Sequence, residues 1–263
     1  MIPELVKKEI LRRIKAAEQE HNVRVLYAVE SGSRAWGFAS PNSDYDVRFI
    51  YCHPKDWYLS VNLEDKRDVI EYDIVDEIDI NGWDVRKALK LFAKSNPTII
   101  EWLHSPITYI DDGVFASSVR DLITSCYSIE KGIYHYRSMA KTNYRGYLQA
   151  QSVPLKKYFY VLRPLLSIMW LEQKKLPAPI EFKKLLGLIE NNTVLMGGIN
   201  QLVLRNQNSL EKQMGEVIPV LNTFIETELD RLENTVWPKS ERSSVMDELN
   251  VLFKKIVNQS FSN

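Results

Sequence analysis

The sequence predicts an α+β fold. A small mixed sheet with flanking helices is expected over residues 1–110, and an all-helical part over 111–263. Three observations carry this. Residues 44–51 and 69–80 alternate apolar and charged side chains with the period of two that marks a strand with one buried and one wet face. After about Gly113 that alternation vanishes, and segments 114–130, 131–150, 154–175, 179–190, 195–213, 216–236 and 241–258 carry helical spacing instead. Pro154, Pro177, Pro179 and Pro238 punctuate those segments as breakers do.

Composition narrows the class further. A chain of 263 residues that is 45% hydrophobic has enough apolar material for extensive cores, which excludes global disorder. Lys plus Arg and Asp plus Glu both total 34, so no overall field draws the protein to nucleic acid, although a local basic groove is compatible with a neutral total. Two cysteines, Cys52 and Cys126, exclude a disulfide framework and fit a reducing compartment, and four scattered histidines give no zinc spacing. The N-terminal stretch MIPELVKKEILRRIKAAEQEHN is charged and amphipathic with no apolar signal core. No stretch approaches the ~20 apolar residues of a membrane span. The expectation is a cytoplasmic protein with no membrane partner.

Taken in order, Leu5, Ile10, Leu11 and Ile14 give a helix from Pro3 to about Glu20, with Pro3 suited to its first turn and Asn22 to its close. Val23 to Val29 is an apolar, β-branched run that reads as a buried strand leading into Ser31-Gly32-Ser33. Arg34 to Phe38 fits one turn of helix, and residues 39–43 are loop by composition. From Asp44 the chain is a strand with Asp44, Asp46 and Arg48 on one face and Tyr45, Val47, Phe49 and Tyr51 on the other. Between Val69 and Ile80 the acids Glu71, Asp73, Glu77 and Asp79 share one parity, in a single strand or in a hairpin about Val75-Asp76. Asn81-Gly82 is expected to break it. A helix over Trp83–Lys94 follows, with Asp84 placed for capping, and a shorter one starts at Asn96-Pro97 and ends by Pro106.

Chemistry concentrates in GSRAWGFASPNSDYD, Gly32 to Asp46. Asp44 and Asp46 point to the same face of a strand, so two carboxylates sit side by side and repel unless a cation neutralises them. A hard divalent ion with oxygen ligands, Mg2+ above all, is the usual answer. The Gly-Ser turn supplies backbone N–H groups and a hydroxyl at a helix start, which suits a phosphate. Nucleotidyl transfer through two metals needs a third carboxylate from a neighbouring strand. Asp79 is the choice, ending an Ile-Asp-Ile strand on the acidic face, and Glu77 is the alternative.

Gly32-Ser33 followed by Asp44-x-Asp46 resembles the GS…DxD signature of the polymerase beta-type nucleotidyltransferase superfamily. Two further blocks, GWDVRKALKLFAKSNPTIIEWLHSP (Gly82–Pro106) and KKYFYVLRPLLSIMW (Lys156–Trp170), are similar to the predicted bacterial and phage nucleotidyltransferases called RNA repair pathway DNA polymerase beta family proteins. The resemblance spans roughly residues 25–190. It implies a catalytic domain over 1–110, a helical nucleotide- and substrate-binding domain over 111–263 that closes on the nucleotide, a nucleoside triphosphate such as ATP as donor, and Mg2+, for which Mn2+ can substitute. An RNA 3′ end is the acceptor that the family context suggests. A protein hydroxyl, a small molecule, or a non-catalytic nucleotide-binding module are the competing readings.

In the second block, Lys156, Tyr160 and Arg163 stand at i, i+4 and i+7, on one helix face, with Lys157 at its border. A cation–aromatic–cation stripe suits a triphosphate with a stacked base or ribose. Because the other faces of this helix are apolar, its cations would be buried and in need of partners, a role a phosphate could fill. The expected nucleotide contacts are therefore Gly32, Ser33, Arg34, Lys156, Lys157, Tyr160 and Arg163. The expected metal and catalytic acids are Asp44, Asp46 and Asp79.

Overall fold

A computed structural model describes residues 2–207, 214–238 and 245–259. Its first helix, α1 (Glu4–His21), buries Ile10, Ile14 and Ala17, and ends at Asn22, which adopts the left-handed conformation and donates its N–H back to Glu18. β1 (Arg24–Ser31) runs into the short α2 (Gly32–Trp36), and β2 (Tyr45–Cys52) follows a loop. Then come α3 (Lys55–Tyr58), a 3-10 turn at Leu63–Asp65, β3 (Val69–Glu71), β4 (Ile78–Asp84), α4 (Val85–Ala93), α5 (Pro97–Leu103) and β5 (Thr108–Asp111). The strands form one mixed sheet in the order β3-β4-β2-β1-β5. β2 and β4 are parallel and their neighbours antiparallel.

The rest of the described chain is mainly helical: α6 (Phe115–Asp121), α7 (Ile123–Cys126), α8 (Ile129–Tyr147), α9 (Lys157–Lys174), α10 (Phe182–Leu186), α11 (Thr193–Gln207), α12 (Pro219–Glu233) and α13 (Met246–Gln259). A two-stranded ribbon, β6 (Ser152–Pro154) with β7 (Met214–Glu216), interrupts it. The α+β architecture with a helical C-terminal part is thus as the sequence predicts. Parts of the expected helices 195–213 and 241–258 lie outside the described residues. No described helix is long and apolar enough to cross a membrane.

Of the two arrangements open for the acidic repeat over 69–80, the structure has the hairpin, with left-handed Asp76 and Glu77 in its turn. The expected break and helix start after it are corrected. Asn81-Gly82 does not break β4, which continues to Asp84; a Cβ on Gly82 would fall 2.2 Å from a ring carbon of Phe49, so this glycine admits an aromatic side chain rather than a turn. The following helix starts at Val85, with the Asp84 carboxylate accepting from the Arg86 N–H.

The two faces of the sheet have different covers. Tyr45, Val47, Phe49 and Tyr51 of β2 join Ile10, Ile14 and Ala17 of α1 in one apolar cluster. Leu26 and Val29 of β1 and Ile50 of β2 belong to the other, which continues through α4, α5 and α6 to α9, α12 and α13.

Candidate active site

The site is built where β1, β2 and β4 lie side by side. At the end of β1 the chain turns through Gly32, whose φ of +62° lies in the region that favours glycine. A Cβ there would fall 2.0 Å from Oδ2 of Asp46. The turn and the second aspartate therefore touch, and only a residue without a side chain permits it. The register explains the approach: Ser31 pairs with Asp46 across the antiparallel β1–β2 ladder, and Asp46 pairs with Asp79 across the parallel β2–β4 ladder. Asp44 stands just before β2, half-buried. Glu77, the alternative third acid, is exposed in the hairpin turn, where its carbonyl accepts from the Tyr45 N–H.

Arg48, two residues after Asp46, lies between the acids. Its Nη2 donates to Asp79 Oδ2 at 2.6 Å and lies 3.4 Å from Asp46 Oδ1, while its Nη1 donates to the carbonyls of Val47 and Asp79. Asn81 Nδ2 takes the other oxygen of Asp79 at 2.6 Å. Even with this cation adjacent, Asp46 is pushed up to about 6, first by burial and then by the charges of Asp79 and Asp44; Arg48 and Lys156 act in the opposite sense. Among the described residues, no three His, Cys, Asp or Glu side chains are gathered into a metal-binding cluster. The donor chemistry nonetheless fits a hard cation: Asp44 and Asp46 offer carboxylate oxygens, and the charges of Asp44 and Asp79 both act on Asp46, as they would on a shared cation.

Glu30 is a member of this site that the sequence reading passed over. It is fully buried, accepts from the Asp46 backbone N–H at 2.9 Å through Oε1, and accepts from the Tyr109 hydroxyl at 2.5 Å through Oε2. Burial pushes its carboxyl up to about 7, against the opposing effect of those two donors. The available signal was an acid in an otherwise apolar run, AVES, immediately before the Gly-Ser turn.

The expected nucleotide contacts divide into two groups. Ser33 is buried in the turn. Lys156 precedes α9, and its charge is felt at Asp46. The Lys157 ammonium lies 4.2 Å from the ring centre of Tyr147 and 4.7 Å from that of Tyr160, and Tyr160 meets Trp36 of α2 edge-on at 5.3 Å. These side chains approach the turn from α8 and α9. Arg34 and Arg163 are engaged elsewhere. Arg34 donates to the carbonyls of Ser43 and Asp44 and stacks on Tyr45, so it secures the loop that carries Asp44. Arg163 is only 2% exposed, is held by both oxygens of Glu101 at 2.9–3.0 Å, and lies 4.3 Å from the Trp36 ring centre. The partner a buried cation requires is thus Glu101, which also accepts from the Tyr136 hydroxyl, and the expectation that Arg163 contacts phosphate is corrected.

Comparison with known proteins identifies the family. The sequence model of the RNA repair pathway DNA polymerase beta family matches residues 6–255. The chain is also 43% identical, over 255 residues and 97% of each sequence, to the uncharacterized protein YcgL of Bacillus subtilis (strain 168).

Proposed function

The chain belongs to the RNA repair pathway DNA polymerase beta family, and from that premise we propose that it transfers a nucleoside monophosphate from a triphosphate to a hydroxyl acceptor. The observation that carries this reading is the alignment of the Gly32 turn, Asp46 and Asp79 on three adjacent strands. Fold alone would not suffice, because function is argued from the site.

In this reading Asp44 and Asp46 would hold Mg2+, or Mn2+ in its place, with Asp79 completing the site. When bound, the ion neutralises charge on the phosphates and favours ionisation of the attacking hydroxyl. The acceptor oxygen forms a bond to the α-phosphorus, the bond from that phosphorus to its bridging oxygen breaks, and pyrophosphate leaves. Asp79 takes the proton of the acceptor hydroxyl, kept in place for this by Arg48 and Asn81. Ser33 and the N–H groups of the turn receive the β and γ phosphates, with Lys156 and Lys157 supplying positive charge. Tyr160, braced by Trp36, walls the nucleoside. The words RNA repair pathway in the family description support an RNA acceptor, for which a 3′ end supplies the hydroxyl this chemistry needs.

The test is incubation with each α-labelled triphosphate, Mg2+, and separate RNA, protein and metabolite pools. Label is expected on RNA ends, in a reaction whose RNA binding weakens steeply with salt. Asp44→Ala and Asp46→Ala should each abolish transfer. Wild-type rates in both variants would refute the proposal, and label on protein or metabolites would redirect the acceptor.

A further inference from the structure

We propose that Glu30 is a positioning residue that fixes the Asp46 carboxylate relative to the phosphate turn. The inference rests on the nucleotidyl-transfer reading of the site and adds to it a residue that touches neither metal nor nucleotide.

The geometry runs through four residues of chain. The paired register of β1 and β2 ends at Ser31–Asp46, because the chain leaves the strand at Gly32. The Asp46 N–H would need an acceptor at this point, and the Glu30 carboxylate supplies it. Glu30 is itself held at every polar group. Its N–H donates to the Ile107 carbonyl, its own carbonyl accepts from the Ser105 hydroxyl at 2.6 Å, and its second carboxylate oxygen accepts from Tyr109. The segment from Ser105 to Tyr109, on the β5 side of the sheet, thus anchors Glu30, and Glu30 anchors the Asp46 backbone. Two residues further along, Gly32 lies against the Asp46 side chain and opens the turn. One short stretch, Glu30 to Ser33, therefore both builds the phosphate turn and sets the distance from it to a metal-binding carboxylate. Fixing that distance matters because reactions of this class depend on the placement of metal and phosphate together.

A buried acid that merely satisfies the fold would affect stability alone. Metal affinity separates the two roles, because partners outside the ligand set typically change it by about 10–100-fold when removed. The experiment is Mn2+ titration of the intact protein followed by electron paramagnetic resonance, with thermal unfolding measured in parallel and Asp46→Asn as the site control. Glu30→Ala should bind Mn2+ about tenfold more weakly than wild type. Glu30→Gln keeps a carbonyl oxygen for the Asp46 N–H and should stay within about twofold of wild type. Folded Glu30→Ala with wild-type affinity would overturn the proposal, as would Glu30→Gln binding as weakly as Glu30→Ala. If Glu30→Ala fails to fold, Tyr109→Phe decides: weaker Mn2+ binding supports the proposal and unchanged binding overturns it. If wild type binds no Mn2+ that Asp46→Asn abolishes, the metal-site reading falls and this inference with it. If the affinity pattern holds while wild type labels no acceptor, the transfer reading alone fails.

Discussion

At the scale of single residues, Asp46 is held from three directions: Gly32 lies against its carboxylate, Arg48 approaches one of its oxygens at 3.4 Å, and Glu30 accepts from its N–H. Asp44, Asp46 and Arg48 announce themselves by alternation, since a period of two forces them onto one face. Glu30 carries no such signal, because its role is set by where β1 stops pairing, and that depends on φ at Gly32. In the structure Gly32 lies against the Asp46 side chain, a contact that its place before Ser33 does not announce. Gly32, which opens α2, and Gly37, which follows it, separate backbone strain from that contact. Gly32→Ala forces a side chain into a left-handed position, worth about 1–2 kcal/mol, and drives its Cβ into the Asp46 carboxylate. Gly37→Ala, at φ +88° with open space around it, carries only that same backbone cost, about 1–2 kcal/mol. Both variants should unfold at lower temperature. Only Gly32→Ala should lose transfer, by about 100-fold or more, because it displaces the Asp46 carboxylate that the proposed mechanism places on the metal. Equal label transfer by the two variants would show that the contact does not matter.

At the scale of elements, helical spacing groups Lys156, Tyr160 and Arg163, yet Arg163 is paired with an acid, Glu101, instead of standing ready for a phosphate. Spacing places Lys156, Tyr160 and Arg163 together but says nothing of depth, and Arg163 lies deep enough to meet α5. The misplaced break at Asn81-Gly82 has the same origin: Gly-containing pairs mark turns unless a neighbour, here Phe49, needs the space. The Arg163–Glu101 pair joins α9 to α5 beside the Trp36 ring, so it links the helical part to the sheet half of the molecule. Arg163→Met leaves the Glu101 carboxylate buried without its cation and should cost about 3–5 kcal/mol. Arg163→Met/Glu101→Gln removes both charges while keeping an acceptor for Tyr136, and should recover most of that loss. Denaturant melts of the two single variants and the double variant measure the coupling. Because Arg163 is engaged with Glu101, the double variant should retain its KM for the triphosphate to within about threefold, and a much larger rise would return Arg163 to the phosphate site.

At the scale of the whole molecule, the order of elements was legible because loss of period-two alternation is a long-range signal that survives local errors. The packing between the halves was not. Sequence shows where a strand-rich region stops, whereas a core is defined by which faces meet, and here one cluster runs across residues 105–113 without interruption. Leu26 and Val29 of β1 and Ile50 of β2 share it with Phe115 and Val119 of α6, Phe159 and Leu162 of α9, and Leu252 and Ile256 of α13. Between strands and helical part there are also polar ties: Arg120 of α6 donates to the Tyr27 hydroxyl and to the Leu103 carbonyl, and Asn206 of α11 donates to the Phe38 carbonyl. α1 covers one face of the sheet, and α4 and α5 cover only part of the other. A fragment of residues 1–112 would therefore expose the apolar surface that α6, α9 and α13 bury, at about 25 cal/mol per Å2 of area returned to water. Domains of that length retain about 5–15 kcal/mol of net stability, so returning that much apolar surface to water is decisive. The fragment should show no cooperative thermal transition and poor amide dispersion by NMR, whereas the full chain should melt in a single transition whose calorimetric and van't Hoff enthalpies agree. A well-dispersed, cooperatively melting fragment would show instead that the sheet half is an independent domain, and the helical half would then be free to close on a bound nucleotide as a separate body.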